Sequence, residues 1–119
     1  MKNVSHPNII KLYEVVVSKK PDKKNERGHS FLVQEYMEHD MNGIIISKID
    51  LKISQIKFIM KQLFQSLLFL DENNIMHRDL KWSNILYNNK CEIKLTDFVL
   101  AKYYSKESNL NHTQRVVTL

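Results

Sequence analysis

Between Ile53 and Leu70, apolar residues return every three or four positions: Ile53, Ile56, Met60, Leu63, Leu67 and Leu70, with Ile59, Phe64 and Leu68 widening the stripe. That is the period of a helix, not of a strand. It predicts one amphipathic helix over roughly Ser54 to Glu72, with its stripe turned to a core. Asp50 or Ser54 stands where a start cap belongs, and Asn73-Asn74 where the helix should stop. A helix of this length needs a second layer to cover its apolar face.

The flanking segments supply that layer. Proline biases its predecessor away from helix, so His6-Pro7-Asn8 reads as a turn. Ile9, Ile10, Leu12, Tyr13, Val15, Val16 and Val17 then form a β-branched and aromatic run. Residues 18–30 are polar, with Pro21, Asn25 and Gly28, and read as a surface loop. Phe31 to Tyr36 reads as a second strand, antiparallel to the first. A polar connector follows over Met37 to Gly43, with a short helix over Met41 to Ile46. After the long helix, Ile85–Tyr87 and Cys91–Thr96 read as a hairpin turning at Asn88-Asn89, two residues that tolerate positive φ. Beyond Lys102 the chain is polar and reads as irregular. The fold class is therefore α+β.

Composition narrows the chemistry. Eighteen Lys and Arg against 13 Asp and Glu leave a net charge of +5. A basic balance can signal nucleic acid or a membrane surface. Here the densest group, Lys19, Lys20, Lys23 and Lys24, is interleaved with Pro21, Asp22, Asn25 and Glu26, as in a solvated loop. No direct nucleic-acid binding is expected. The single cysteine, Cys91, cannot build an internal disulfide framework and suits a reducing compartment. With no apolar run of membrane-spanning length and no targeting signal, an intracellular place, nucleus or cytoplasm, is expected.

The chemistry gathers in His77-Arg78-Asp79-Leu80-Lys81-Trp82-Ser83-Asn84, followed by Asp97-Phe98. Asp79 is a carboxylate able to accept a hydroxyl proton, and Lys81 a cation two residues away. Asn84 and Asp97 are hard oxygen donors suited to Mg²⁺, which takes few protein ligands beside phosphate oxygens. A hairpin returns its far end beside its start, so the expected fold brings Asp97 close to Asn84. His77 is expected to pack and hydrogen-bond, not to act as a base.

These residues resemble the catalytic loop of a eukaryotic serine/threonine protein kinase. Around them the chain resembles the cyclin-dependent kinases. His6-Pro7-Asn8-Ile9-Ile10 is similar to the segment entering their fourth strand, and Phe31 to Met37 to the fifth strand and hinge. Glu38 to Gly43 looks like the post-hinge segment of the transcription-associated branch. The segment from His112 to Leu119 looks like the end of the activation loop.

The resemblance implies a partial kinase fold: the end of the N-lobe over 1–36, hinge and connector over 37–43, and the start of the C-lobe through the activation loop over 44–119. It implies ATP and Mg²⁺ as cofactors, a Ser/Thr-containing protein substrate and a cyclin partner. Asp79 and Lys81 would be catalytic, and Asn84 and Asp97 would hold the metal. Glu35 and Met37 would meet adenine, Asp40 the ribose, and Leu86 would form the floor. Thr113 would be a phosphosite paired with Arg78 and Lys102, and Thr118 would lie on the substrate side.

Some features depart from the family. Within these 119 residues there is no glycine-rich loop, no Val-Ala-Ile-Lys lysine, no cyclin-binding helix and no C-terminal helical bundle. The polypeptide alone is therefore expected to be inactive. Val99 stands where the family has the glycine of Asp-Phe-Gly, and Gln34 where it usually has an apolar residue behind the adenine. Alternative readings are a non-catalytic, pseudokinase-like binding module or a truncated gene product.

Overall fold

The computed structural model describes residues 5–17 and 29–104. The long β-like run does not form one strand. Leu12–Val17 (β1) pairs antiparallel with Ser30–Gln34 (β2). Ile9 and Ile10 join a different sheet. The Ile10 N–H donates to the Leu95 carbonyl and the Leu95 N–H to the Asn8 carbonyl, both at 2.9 Å. Lys11 is thus the single residue between two sheets.

That second sheet orders His39–Asp40 (β3), Ile85–Tyr87 (β5) and Ile93–Leu95 (β6) side by side, all antiparallel. The hairpin forms as expected, but its turn differs. The left-handed residue is Cys91, at φ 59°, not an asparagine. Asn88 contributes its side chain instead: Oδ1 accepts the N–H groups of Lys90 and Glu92, both at 3.0 Å. Asparagine favours turns through such local bonds as well as through its backbone freedom.

Helix α1 spans Met41–Ile46, as the sequence indicated. Asp40 caps it, its Oδ1 accepting the Gly43 N–H at 2.7 Å. Helix α2 spans Ile53–Glu72. Neither Asp50 nor Ser54 caps it. The cap position is Lys52, and Gln55 accepts the Lys52 N–H at 2.9 Å, one half of a capping box. The helix stops at Asn73, where Asn74 turns left-handed at φ 56°.

The stripe on α2 is wider than the face that packs. Ile59, Gln62, Ser66 and Leu70 are buried, whereas Ile53, Ile56, Met60, Phe64 and Leu68 are exposed. Two polar residues sit at the centre of the packed face because the hairpin presents backbone groups there. Gln62 Oε1 accepts from Asn8 Nδ2 at 2.9 Å and from the Ile93 N–H at 3.1 Å, while its Nε2 donates to the Cys91 carbonyl at 2.8 Å and to the Phe58 carbonyl. Ser66 returns its hydroxyl to the Leu63 carbonyl. Ile93 and Leu95, with no exposed surface, anchor the core with Ile59, Leu70, Ile85, Met41 and Ile44.

Just past Ala101 the described residues include a strand that the sequence did not suggest. Lys102–Tyr103 (β7) pairs with Ile75–Met76 (β4). Among the described residues no helix is long and apolar enough to cross a membrane.

Candidate active site

The segment from His77 to Asn84 is folded by its own side chains. The His77 ring is buried and lies 4.7 Å from the Phe98 ring. Its Nδ1 accepts the Asp79 N–H at 3.3 Å, which places the ring proton on Nε2, and Nε2 donates to the Thr96 carbonyl at 2.9 Å. Both nitrogens are engaged in holding the loop against the strand before Asp97. The packing role expected for His77 is what it performs. Arg78 adopts φ 67°, the turn that lets Asp79 face back, and its Nε donates to the Leu100 carbonyl.

Asp79 is the centre of the loop. Its Oδ2 accepts from Lys81 Nζ at 2.8 Å and from Asn84 Nδ2 at 3.1 Å. The hydrogen bond from Lys81 is the chief reason the Asp79 carboxyl lies below its ordinary range, aided by the charge of Lys81 and the bond from Asn84 and opposed by desolvation. The same bond raises the Lys81 ammonium, with a further contribution from the charge of Asp97. A depressed carboxylate stays ionised, and so able to accept a proton, throughout the neutral range.

Asn84 is buried, in the single 3₁₀ turn between Lys81 and β5. Its Nδ2 is consumed by the Asp79 carbonyl at 2.9 Å and the Asp79 carboxylate. That leaves Oδ1 without a protein partner among the described residues. The Asn84 carbonyl accepts the Thr96 N–H at 3.0 Å, so Asp97 follows directly from a residue bonded to Asn84, as the hairpin argument anticipated. The Asp97 carboxylate, half-buried, has no hydrogen-bond or ion-pair partner among the described residues. No cluster of three or more His, Cys, Asp or Glu forms among them either. An amide oxygen and one carboxylate, both unclaimed, fit a hard cation that draws its remaining ligands from phosphate and water.

Val99 does not distort this arrangement. The left-handed residue is Asp97 itself, at φ 62°, and Phe98–Leu100 forms a 3₁₀ turn in which Val99 is 75% exposed. Val99 itself adopts no positive φ, so its backbone does not require glycine. Val99→Gly is expected to stabilise nothing and to cost about 0.5–1 kcal/mol through the freer unfolded chain; urea unfolding reads this directly, and a gain in stability would contradict it.

The sequence also singled out residues on the other side of the three-stranded sheet. The Glu35 N–H donates to the Lys11 carbonyl at 2.9 Å, so only the Glu35 carbonyl is left for a ligand. Met37 is half-buried, and its N–H has no partner among the described residues. The Asp40 carboxylate is partly committed to capping α1. Leu86 lies opposite Asp40 and Lys94 in register. Gln34 ends β2 opposite Leu12. Thr113 and Thr118 lie outside the described residues; of the phosphosite partners, Arg78 is bonded to Leu100 and Lys102 begins β7.

A cavity of about 820 Å³ opens behind this region, lined by His6, Ile10, Glu35, Lys94, Phe98 and Tyr103 among others, and includes none of Asp79, Asn84 or Asp97. The sequence pattern missed Lys94 and Gln62. Alternation on β6 signalled that Lys94 faces away from Ile93 and Leu95, but not what it meets. Nothing marked Gln62.

Comparison with known proteins bears on all of this. The family described as "Protein kinase domain" matches residues 1–119. The chain is 36% identical over 120 residues to the CTD kinase subunit alpha of Schizosaccharomyces pombe, covering 100% of this chain and 19% of that protein. It is 39% identical over 128 residues to cyclin-dependent kinase C-1 of Arabidopsis thaliana, covering 100% and 25%. Its fold is similar to a chain in the crystal structure of the yeast RNA Pol II CTD kinase CTDK-1 complex, with a TM-score of 0.73, 31% identity, and coverage of 88% of this chain and 33% of that one. The chain thus spans between a fifth and a quarter of the length of these curated relatives.

Proposed function

The chain belongs to the protein kinase family and is similar along its length to cyclin-dependent kinases, and from that premise we propose that it carries the catalytic-loop region of a cyclin-dependent serine/threonine kinase. Asp79 accepts the proton of a substrate hydroxyl. Lys81 neutralises charge on the transferring phosphoryl group, as a cation does where charge develops. Asn84, through Oδ1, and Asp97 would hold Mg²⁺, which would supply positive charge against the phosphates of ATP. The Glu35 carbonyl and Met37 N–H meet adenine above Leu86, and Asp40 meets the ribose.

The observation that carries the reading is the division of labour at Asn84. Its amide nitrogen fixes the base, Asp79, and its amide oxygen is left for a metal. A non-catalytic docking module is the second reading; of its two motives, Val99 and the family segments these 119 residues lack, the relaxed backbone at 99 weakens the first.

The domain division proposed is end of N-lobe over 1–36, hinge and connector over 37–43, and C-lobe through activation loop over 44–119. A phosphate on Thr113 would add acceptors for Arg78 and Lys102, and Thr118 would stand beside the substrate. Its similarity to cyclin-dependent kinases supports a cyclin partner, a protein substrate and a place in nucleus or cytoplasm. The 119 residues by themselves hold no glycine-rich phosphate loop, so the isolated polypeptide is proposed not to transfer phosphate.

The test is an NMR titration of the chain with MgATP. Backbone signals near Asn84, Asp97 and Met37 are expected to shift, and the responses at 84 and 97 are expected to weaken about tenfold or more in Asp97→Asn, which removes the only charged metal ligand. An Asp97→Asn chain that responds like the wild type would sink the metal assignment. Transfer from radiolabelled ATP by the isolated chain, above an Asp79→Ala control, would refute its proposed inactivity.

A further inference from the structure

The carboxylate of Glu35 is tethered. Lys94 reaches it from β6, with Nζ 3.1 Å from Glu35 Oε2, and the same ammonium donates to the Pro7 carbonyl at 2.9 Å. The side chains are 18% and 28% exposed, more sheltered than a typical surface pair yet not deep enough to carry a large desolvation cost. Glu35 is gripped from its other side as well. Its N–H donates to the Lys11 carbonyl, and its Oε2 accepts the Lys11 N–H at 3.4 Å.

Lys94 is also fixed at its backbone. It lies opposite Leu86 in the β5–β6 register, and Leu86 lies opposite Asp40 across β5–β3. Successive side chains on a strand point to opposite faces. Ile93 and Leu95 go to the core, and Lys94 is sent to the other side. One residue therefore joins Leu86 through the sheet to Glu35 through its ammonium.

We propose that Lys94 is a positioning residue for the nucleotide base: it sets the height of the segment Glu35–Met37 above Leu86, and so the width of the slot between them. This rests on the adenine reading of that segment given above. Lys94 touches no substrate in this role; it acts through Glu35. The ammonium has no carboxylate other than Glu35 within ion-pair distance among the described residues, so losing Glu35 leaves it only the Pro7 carbonyl.

The test compares Lys94→Met, which keeps the apolar stem and removes the charge, with Lys94→Arg and with Glu35→Gln, which breaks the pair but leaves Lys94 on Pro7. Amide hydrogen exchange is the first readout. Exchange at residue 35, whose N–H is held by the Lys11 carbonyl, is expected to quicken about tenfold in Lys94→Met and Glu35→Gln, to return within about threefold of wild type in Lys94→Arg, and to stay unchanged at Ile85 and Leu95 in the core.

Binding is the second readout. The dissociation constant for MgATP, followed at Met37, is expected to rise about three- to tenfold in Lys94→Met, while that for Mg²⁺ with inorganic tripolyphosphate, followed at Asp97, stays within about twofold. Unchanged exchange at residue 35, or equal weakening of both ligands, overturns the proposal. Should the wild type show no response to MgATP at Met37, the adenine reading itself falls, and exchange alone then decides whether Lys94 holds Glu35.

Discussion

Gln62→Leu is expected to destabilise the fold by about 3–4 kcal/mol, because it strips partners from several buried groups at once. The amide of Gln62 meets Asn8 Nδ2 on one segment and the Ile93 N–H and Cys91 carbonyl on another, the hairpin. Leucine matches the volume and satisfies none of them. The Ile93 N–H suffers most, since Ile93 has no exposed surface and its amide turns toward the helix. Asn8 keeps one bond, to the Ile93 carbonyl at 2.9 Å. Gln62→Glu retains the acceptor but loses the donor to Cys91 and buries a charge, so it is expected to be comparably harmful. Urea unfolding measures the loss. A cost under about 1 kcal/mol, the range of a replaceable surface contact, would show that the hub is not needed.

The second large effect separates two leucines on one helix. Leu70→Ala is expected to cost about 3 kcal/mol, as a buried leucine leaves a cavity when truncated. Leu68→Ala is expected to cost less than about 1 kcal/mol. The first is 3% exposed and the second 58%, yet both fall within the apolar stripe. Thermal or urea unfolding of the two variants compares them side by side. Equal costs would mean that the packed face of α2 is broader than Ile59–Gln62–Ser66–Leu70.

That pair also shows what the sequence could and could not disclose. Helical period placed α2 to within a residue at its start, and turn chemistry placed the hairpin. Period alone could not choose which part of a wide stripe packs, because the choice is made by backbone groups of the hairpin turn that attract Gln62. The cap of α2 was misplaced for a related reason: Gln55 reaches back to Lys52, and a donor–acceptor match across three residues outweighed the better capping types nearby.

Part of the candidate site was legible. Asp79, Lys81 and Asn84 stand in one hydrogen-bonded group because the residues proposed to carry the chemistry also fold the loop. Strand register sets Asp40 opposite Leu86, while Glu35 is held by its bond to Lys11. Lys94 stayed hidden because its partners, Glu35 and Pro7, are 59 and 87 residues away in sequence. No local pattern encodes such a meeting. The strand β7 was hidden in the same way, since its partner β4 lies beyond the whole segment from His77 to Asn84.

The division of the 9–17 run between two sheets has a mechanical consequence. Ile10 is stitched to Leu95, and Leu12 to Gln34, with one residue of slack between them. The chain returns at Glu35, whose N–H closes on that same slack residue, Lys11. The two-stranded sheet is thus a lever on a fulcrum one residue wide. Its long arm is β1 and β2, and its short arm ends at Leu95, two positions before Asp97. Residue-resolved exchange would display the fulcrum as a step, with amides from Leu12 onward opening freely while Ile10 stays closed. A shift of β1 and β2 is thereby expected to be felt at Leu95, two positions from the carboxylate proposed to hold the metal.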